Sequence, residues 1–246
     1  MPPRFMERMA RQAQTLDRVF GESDTNPPPY PQSRTSRTSS HGSSSTYYKS
    51  LPVPPPHYSA VHPEKVSIEH VALHKDDLVL VTAANSWQGI HIVDQLLERG
   101  YRVRGTVRDA EKAIWTSKFF GDKYGAGRFT TAVIPDMAAQ GAFNIAVRGC
   151  AGVVHVASVT SMSSNPDDVV TPSIAGALNA LEAAALEPNV TRFVHCSAVS
   201  AAISHDRGKR HEVTSQSWNM LDFNDAWAPP PYKEDRALAV SASSKM

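Results

Sequence analysis

The sequence predicts an α/β fold built on a doubly wound parallel sheet, because short apolar runs alternate with amphipathic helices from Leu78 to Cys196. The first run, Leu78 to Val81, is continuously apolar, which is typical of a strand covered on both faces. Five strand and helix alternations follow one another in this part of the chain. Parallel strands need helical crossovers, so the alternation predicts a parallel sheet with helices on both sides.

Each predicted element has its own sequence signal. The first helix places Ile90, Val93 and Leu97 at helical spacing and is expected to stop at Gly100. The second strand alternates apolar and polar residues. The predicted elements after the first helix are a strand at 103–107, a helix at 110–120, a strand at 129–134, a helix at 140–148, a strand at 153–156, a helix at 172–186 and a strand at 192–196.

A proline- and serine-rich arm precedes the predicted domain. Between residues 21 and 60 only two Leu, Ile, Val, Met or Phe residues occur, so residues 1–65 are predicted to be disordered and residues 73–246 to fold. Proline clusters at 27–29 and 54–56 favour polyproline II, the conformation that WW or SH3 domains bind. A solvated linker has the same composition, so both interpretations stay open.

The overall composition of the chain bears on its cellular location and on its binding partners. The 25 Lys and Arg residues nearly balance the 24 Asp and Glu residues, which gives no reason to expect binding to nucleic acid or an acidic membrane. The two cysteines lie in apolar stretches and no run of 18 apolar residues occurs, so a reduced cytoplasmic protein without a membrane span is expected. Four arginines in the first 20 residues allow a mitochondrial presequence as an alternative, although Glu7 and Asp17 are atypical of one.

The turn between the first strand and the first helix has the position of a phosphate-binding loop. In Rossmann-type sheets the pyrophosphate of a dinucleotide lies at this helix amino end, and a full fingerprint has three glycines. Here only Gly89 remains, with Ala83 and Ser86 at the other two positions. Ser86 could donate its hydroxyl to a phosphate oxygen, but an ordinary strand-to-helix turn fits the spacing equally. The candidate cofactor-binding residues of this turn are Thr82, Ala83, Asn85, Ser86, Trp87, Gln88 and Gly89.

The end of the second strand favours NADP(H) over NAD(H). An acidic residue there would bind the ribose 2′-hydroxyl of NAD, whereas an arginine accommodates the 2′-phosphate of NADP. Arg108 stands at that position. Arg102 and Arg104, earlier on the strand, are expected only to solvate its polar edge.

Residues 80–109, LVTAANSWQGIHIVDQLLERGYRVRGTVRD, resemble the cofactor-binding start of extended short-chain dehydrogenases/reductases of the NAD-dependent epimerase/dehydratase superfamily. The resemblance is to fungal aldehyde and ketone reductases related to dihydroflavonol and cinnamoyl-CoA reductases. IPDM at 134–137 and GCAGVVHVAS at 149–158 agree with it, as do the stretches at 165–185 and 226–240. The resemblance implies an NADP(H)-dependent oxidoreductase that reduces a small-molecule aldehyde or ketone.

The resemblance also implies roles for residues beyond the phosphate turn. Asp136 and Met137 would lie near the adenine, and Val156, Ala157 and Ser158 would line the cofactor. From the residues alone, Asp136 could equally be a helix cap, and Val156 and Ala157 could be plain sheet packing.

Other conspicuous side chains are assigned to structure. His155 and His195 are expected to be core histidines, and Trp115, Trp218 and Trp227 to pack. No metal site is predicted, since the two histidines of the loop at 205–212 lack partners at a convincing spacing.

The catalytic positions depart from the family pattern. The family uses a tyrosine with a lysine four residues later, plus a serine on the fifth strand. Lys245 matches the lysine, but Ser241 stands at the tyrosine position. By the family resemblance the catalytic serine falls on Ala198, which leaves Ser197 or Ser200 as misplaced substitutes. Activity is therefore expected to be impaired.

The chain is further expected to be truncated before a complete C-terminal substrate lobe, with Lys245 on a helix too short to form. Two alternatives to the reductase hypothesis stay open. One is a catalytically inactive dinucleotide-binding module, since Gln88 and Gly89 also resemble the turn of NmrA-type regulators. The other is a truncated product without an independent role.

Overall fold

The computed structural model describes residues 73–204 and 212–246. The predicted disordered arm, its two proline clusters and most of the loop at 205–212 lie outside the described residues. The disorder of the arm, its WW or SH3 contacts and the cytoplasmic location stay predictions.

Ten helices and strands organise the described residues. In chain order they are β1 (Leu78–Val81), α1 (Trp87–Glu98), β2 (Arg102–Val107), α2 (Ala110–Tyr124), β3 (Phe129–Val133), β4 (Gly152–His155), α3 (Pro166–Leu186), β5 (Arg192–His195), α4 (Met220–Ala226) and α5 (Ala237–Ser243).

The sheet is parallel throughout, with strand order β3-β2-β1-β4-β5. The chain leaves β1 toward β2 and β3, then returns past β1 to build β4 and β5 on its other side. Val79 pairs with Val103 of β2 and with Gly152 of β4, so β1 is central. The predicted doubly wound fold is confirmed, and its switch point lies between β1 and β4.

The core has one layer on each face of the sheet. Successive side chains of a strand point to opposite faces. Val79 and Val81 accordingly pack with Val93 of α1 and Phe120 of α2 on one side. On the other side Leu80 of β1 packs with a second buried group that contains Phe143, Val153 and Ala180.

The prediction of a helix at 140–148 is wrong, since this segment forms a succession of turns. Gly141 and Gly149 at its two ends adopt positive φ angles of 72° and 71°, which do not belong in a helix. Arg104 of β2 donates from Nη1 to the carbonyls of Ala146 and Arg148, both at 2.8 Å. The guanidinium therefore has a structural role, and the expectation that Arg104 only solvates the strand edge is wrong.

Helix α3 begins at Pro166, six residues before the predicted start at Pro172. Its N-cap is Asn165, whose side chain accepts from the amide of Asp167 at 3.2 Å. Proline favours the first turn of a helix, and this segment has two prolines. The predicted start was the later one, Pro172, whereas the helix starts at the earlier one, Pro166. By length and apolar composition α3 alone among the described helices could span a membrane, but its alanines pack into the core against the sheet.

Helix α5 forms just before Lys245, so the expectation that this helix could not form is wrong. Val240 is fully buried in a cluster with Val169 and Val170 of α3. Arg236 at the helix start donates from Nη2 to carbonyls of the α4 end, the closest at 2.6 Å from Ala226. Packing and these bonds supply the stability that a helix of 7 residues lacks by itself.

Two of the three tryptophans expected to pack are exposed. Trp115 is 52% exposed because α2 turns its Ala113, Thr116 and Phe120 face to the core. Trp218 is 56% exposed, whereas Trp227 packs against the Val169 and Val240 cluster.

Gly89 offers a direct test of the contact between α1 and the turn. A Cβ at Gly89 would lie 2.1 Å from the carbonyl oxygen of Ala83, so we expect Gly89→Ala to lower the free energy of unfolding by about 3 kcal/mol. Gly121→Ala in α2 is the control, since a Cβ there meets nothing within 4 Å and alanine is the better helix former by ~1 kcal/mol. Urea unfolding followed by circular dichroism measures both, and equal midpoints would contradict the packing role of Gly89.

Candidate functional site

The carboxyl ends of β1 and β4 meet at one edge of the sheet, and the space outside this edge is called the crevice below. Val81 and Val154 are register partners, so the turn after β1 and the segment after β4 emerge at the same edge of the sheet. Ligands of doubly wound sheets bind outside the carboxyl ends of the strands at this switch point. The predicted residues of the phosphate turn and of the 156–158 segment are therefore brought together.

The turn after β1 keeps a tight form without its first glycine. Ala83 has a φ of +50°, in the left-handed region, at a cost of roughly 1–2 kcal/mol for a residue with a side chain. Thr106 of β2 holds the strained segment: its Oγ1 accepts from the Ala83 amide at 3.2 Å and its carbonyl accepts from the Ala84 amide at 2.9 Å. These bonds from the neighbouring strand compensate for the missing glycine.

The amino end of α1 presents free donors. Ser86 is the N-cap, and its Oγ accepts from the Gly89 amide at 3.0 Å. The amides of Trp87 and Gln88 donate to no acceptor within residues 73–204 and 212–246, and both residues are exposed. Since Oγ of Ser86 acts as an acceptor within the cap, its hydroxyl hydrogen stays available to a ligand. Two free amides and the helix dipole together fit an anion such as a phosphate.

Thr82 joins the ends of β1 and β4. Its Oγ1 accepts from the amides of Val156 and Ala157 at 2.8 and 2.9 Å, and lies 3.2 Å from Nδ1 of His155. A hydroxyl oxygen has two lone pairs, so the two amides occupy both and the hydrogen is left to donate to Nδ1. The ring proton of His155 is thereby assigned to Nε2.

His155 is a buried neutral base. It is completely buried, and burial lowers its pKa to about 4, with the nearby charges of His195 and Lys245 acting in the same direction. Its ring stacks on His195 with centroids 5.4 Å apart. Nε2 has no hydrogen-bond partner among the described residues. His195 itself is exposed on the edge strand β5, so the expectation that it is a core histidine is wrong.

Lys245 reaches the crevice from the end of α5. Its Nζ donates a hydrogen bond to Oγ of Ser158, the third residue after β4. Burial lowers the pKa of the Lys245 ammonium, since no carboxylate pairs with it among the described residues. Ser197 donates from its Oγ to the main-chain carbonyl of Lys245 at 2.6 Å, and the side chain of Ser241 makes no hydrogen bond to Nζ.

The remaining predicted residues lie around this centre. Arg108 follows β2, is exposed, and forms no hydrogen bond within the described part of the chain. Asp136 accepts from the Ala138 amide at 2.8 Å, but turns and no helix follow it, so its alternative interpretation as a helix cap is wrong. Met137 packs against Gly176 of α3, where a Cβ would lie 2.7 Å from its Cγ.

Two site residues were missed by sequence reasoning. Ser173 of α3 is buried beside Ser158, with the two Oγ atoms 3.4 Å apart. It continues the buried helix stripe of Val169 and Val170, so a polar residue on an apolar face was the available signal. Thr106 had no such signal, because its role depends on the pairing of β1 with β2.

Thr82→Val tests the bridge between the two strand ends. The isosteric change leaves two amides without their acceptor, so we expect the free energy of unfolding to fall by about 2–4 kcal/mol. We also expect faster hydrogen exchange at the amides of Val156 and Ala157. Thr130→Val is the matched control, since Thr130 is exposed on β3 and should change stability by less than ~0.5 kcal/mol. Equal effects of the two variants would contradict the bridge.

The pH dependence of unfolding tests the neutral state of His155. Its folded pKa of about 4 lies below the ordinary value of 6.5, so between these values the unfolded chain binds a proton that the folded chain excludes. Stability is therefore lost as the pH falls through this window, by up to about 3 kcal/mol. Denaturant titrations at several pH values should show a shallower dependence for His155→Gln than for the wild type. Parallel curves would show that another group is responsible.

No group of three or more His, Cys, Asp or Glu side chains in the described ranges is placed to hold a metal ion. Of the two cysteines, Cys150 is buried, which raises its pKa to about 11, and Cys196 is half-buried; both are free thiols.

The chain is similar to fungal carbonyl reductases. It is 46% identical over 179 residues to aldehyde reductase 2 of Sporidiobolus salmonicolor, covering 72% of this chain and 52% of that protein. It is 32% identical over 171 residues to a ketoreductase of Aspergillus novofumigatus, covering 68% of this chain and 49% of that protein. The chain thus spans about half the length of these curated relatives.

Solved structures and family profiles agree with these similarities. The fold matches that of the yeast methylglyoxal/isovaleraldehyde reductase Gre2 complexed with NADPH, with a TM-score of 0.57 at 25% identity over 68% of this chain and 49% of that one. The profile of the NAD dependent epimerase/dehydratase family matches residues 79–219. Since this match covers more than half of the sequence, the chain belongs to the NAD dependent epimerase/dehydratase family, as the resemblance in its motifs implies.

Proposed function

We propose that this chain binds NADP(H) in the crevice between β1 and β4 and reduces a small-molecule aldehyde or ketone. The observation that carries the proposal is the free amino end of α1, which faces the same edge of the sheet as Ser158 and Lys245. Free helix amides that suit a phosphate and a half-buried lysine ammonium at the same edge of the sheet support the proposal. The names of the similar aldehyde reductase and ketoreductase support a carbonyl as substrate.

Different candidate residues would contact the pyrophosphate, the adenine and the nicotinamide of the bound cofactor. The amides of Trp87 and Gln88, with the hydroxyl of Ser86, would bind the pyrophosphate. Asp136 and Met137 would border the adenine. Val156, Ala157, Ser158 and Lys245 would line the nicotinamide end, where the bound cofactor supplies a hydride. Thr82 holds that lining in place.

Arg108 would select NADPH over NADH. Its guanidinium is exposed and has no protein partner among the described residues, so it is free to pair with a 2′-phosphate. Thr106, two residues earlier, binds the backbone of Ala83 and Ala84, which keeps the end of β2 beside the phosphate turn.

We further propose that turnover is slow compared with reductases that keep the tyrosine. Ser241 has no phenol, and the loss of a positioned general acid removes ~10²–10⁴-fold of rate. Ser197 does not replace it readily, because its hydroxyl hydrogen already donates to the Lys245 carbonyl.

A second candidate function is dinucleotide binding without turnover, as in an NmrA-like sensor. The observation that favours it is the absence of any hydrogen bond between Ser241 and the Lys245 ammonium. Binding of NADPH without its oxidation by any aldehyde or ketone would favour this alternative over reduction.

Calorimetric titration of the full chain with NADPH and NADH tests the proposed function. We expect NADPH to bind more tightly, and Arg108→Gln to weaken NADPH binding by about tenfold to a hundredfold, the loss of one charge-assisted bond, with little effect on NADH. Arg192→Gln is the matched control, since Arg192 begins β5 at the opposite edge of the parallel sheet. If the wild type binds neither dinucleotide, the proposed function is wrong. An equal loss for both would contradict the role of Arg108 alone.

A further inference from the structure

One hydroxyl in the crevice is held by two donors. Ser158 lies directly beyond the Val156 and Ala157 amides that Thr82 binds, and it is half-buried. Its Oγ accepts a hydrogen bond from Nζ of Lys245. Its second neighbour is Oγ of the buried Ser173, 3.4 Å away.

The direction of the Ser173 bond follows from the surroundings of Ser173. Its Oγ accepts from the Val159 amide at 3.2 Å. Its hydroxyl hydrogen has no acceptor other than Oγ of Ser158 among the described residues. Either hydroxyl could donate by geometry, but Ser173 is buried away from water whereas Ser158 is half-buried, so we assign Ser173 as the donor to Ser158.

With both lone pairs occupied, Ser158 has only its hydrogen left to offer. A serine hydroxyl carries one donor and two acceptor positions, so the Ser158 hydrogen points away from Lys245 and Ser173. Among residues 73–204 and 212–246 its one possible protein acceptor is Oγ of Ser173, which is assigned as a donor, so the hydrogen of this half-buried side chain is left for a ligand. The two donated bonds also stabilise negative charge on Oγ if that hydrogen leaves.

We propose that Ser158, backed by Lys245, is the proton donor for carbonyl reduction, in place of the absent tyrosine. The assignment rests on the proposed function, since it requires NADPH and a carbonyl in the crevice. With NADPH bound, the carbonyl carbon would receive its hydride, and the π electrons of the C=O bond would move to the oxygen. That oxygen would take the hydrogen of Ser158 as a proton, Oγ would recover a proton from Nζ of Lys245, and the neutral amine would take up one proton from the buffered solvent, which balances the reaction. The products are an alcohol and NADP⁺.

The electrostatics suit this order of transfer. A lysine ammonium with an ordinary pKa holds its proton tightly, whereas burial lowers the pKa of Lys245 and makes the ammonium a better acid. Ser197 and Ser241 lack this arrangement. Ser197 donates its hydroxyl hydrogen to a main-chain carbonyl, and Ser241 makes no hydrogen bond to Nζ of Lys245.

The test is the rate of NADPH oxidation by the full chain with a panel of aromatic and aliphatic aldehydes, para-nitrobenzaldehyde first, together with NADPH affinity from calorimetry. We expect Ser158→Ala to lower kcat by ~10²–10⁴-fold while NADPH affinity stays within about threefold of the wild type. Ser158→Thr keeps a hydroxyl and should recover most of the rate. Ser117→Ala is the control for loss of a serine hydrogen bond outside the crevice. Ser117 lies on α2, and its Oγ is 3.3 Å from Oγ1 of Thr131 on β3.

The outcomes separate the assignment of Ser158 as proton donor from the proposed reductase activity. If Ser158→Ala binds NADPH and keeps the wild-type kcat, the proton donor lies elsewhere and only the assignment to Ser158 is wrong. An equal loss in Ser158→Thr and Ser158→Ala would likewise overturn the role of the hydroxyl. If the wild type binds NADPH but oxidises it with no aldehyde, aldehyde reduction and the assignment of Ser158 as its proton donor are both wrong, while cofactor binding stands.

Discussion

The hydroxyl of Thr82 is the contact on which the geometry of the crevice depends. It binds the two amides that follow β4 and donates to the buried ring of His155, so one oxygen fixes the ends of two neighbouring strands. The segment that it holds leads directly to Ser158 and thus to the contact with Lys245. A buried hydroxyl with all its hydrogen bonds satisfied is rigid, because no alternative partner is available in the core.

The phosphate turn shows how a glycine-poor loop keeps its shape. The left-handed conformation of Ala83 is unfavourable in isolation, but Thr106 on the neighbouring strand binds the consecutive amides of Ala83 and Ala84. Ser86, at the second glycine position, becomes the N-cap of α1. The third glycine has no such substitute, since the carbonyl of Ala83 occupies the space that a side chain would need.

The ammonium of Lys245 depends on a single hydroxyl among the described residues. Partial burial of a charge is costly unless it donates to an acceptor, and Ser158 provides one in the crevice. The packing of α5 against α3 and α4 decides where Nζ lies. Packing of α5 therefore sets the cation of Lys245 beside the hydroxyl of Ser158.

The sequence by itself determined the sheet and the motif positions. Periodicity depends on residues close in the chain, so β1, β2, β5 and the type of most helices could be read directly, whereas the strand order came from the structure. Partners distant in the chain could not be read. The turns at 140–148 depend on Arg104, the bridge of Thr82 on residues more than 70 positions later, and the Ser158 contact on Lys245, because tertiary packing alone brings these groups within hydrogen-bond distance.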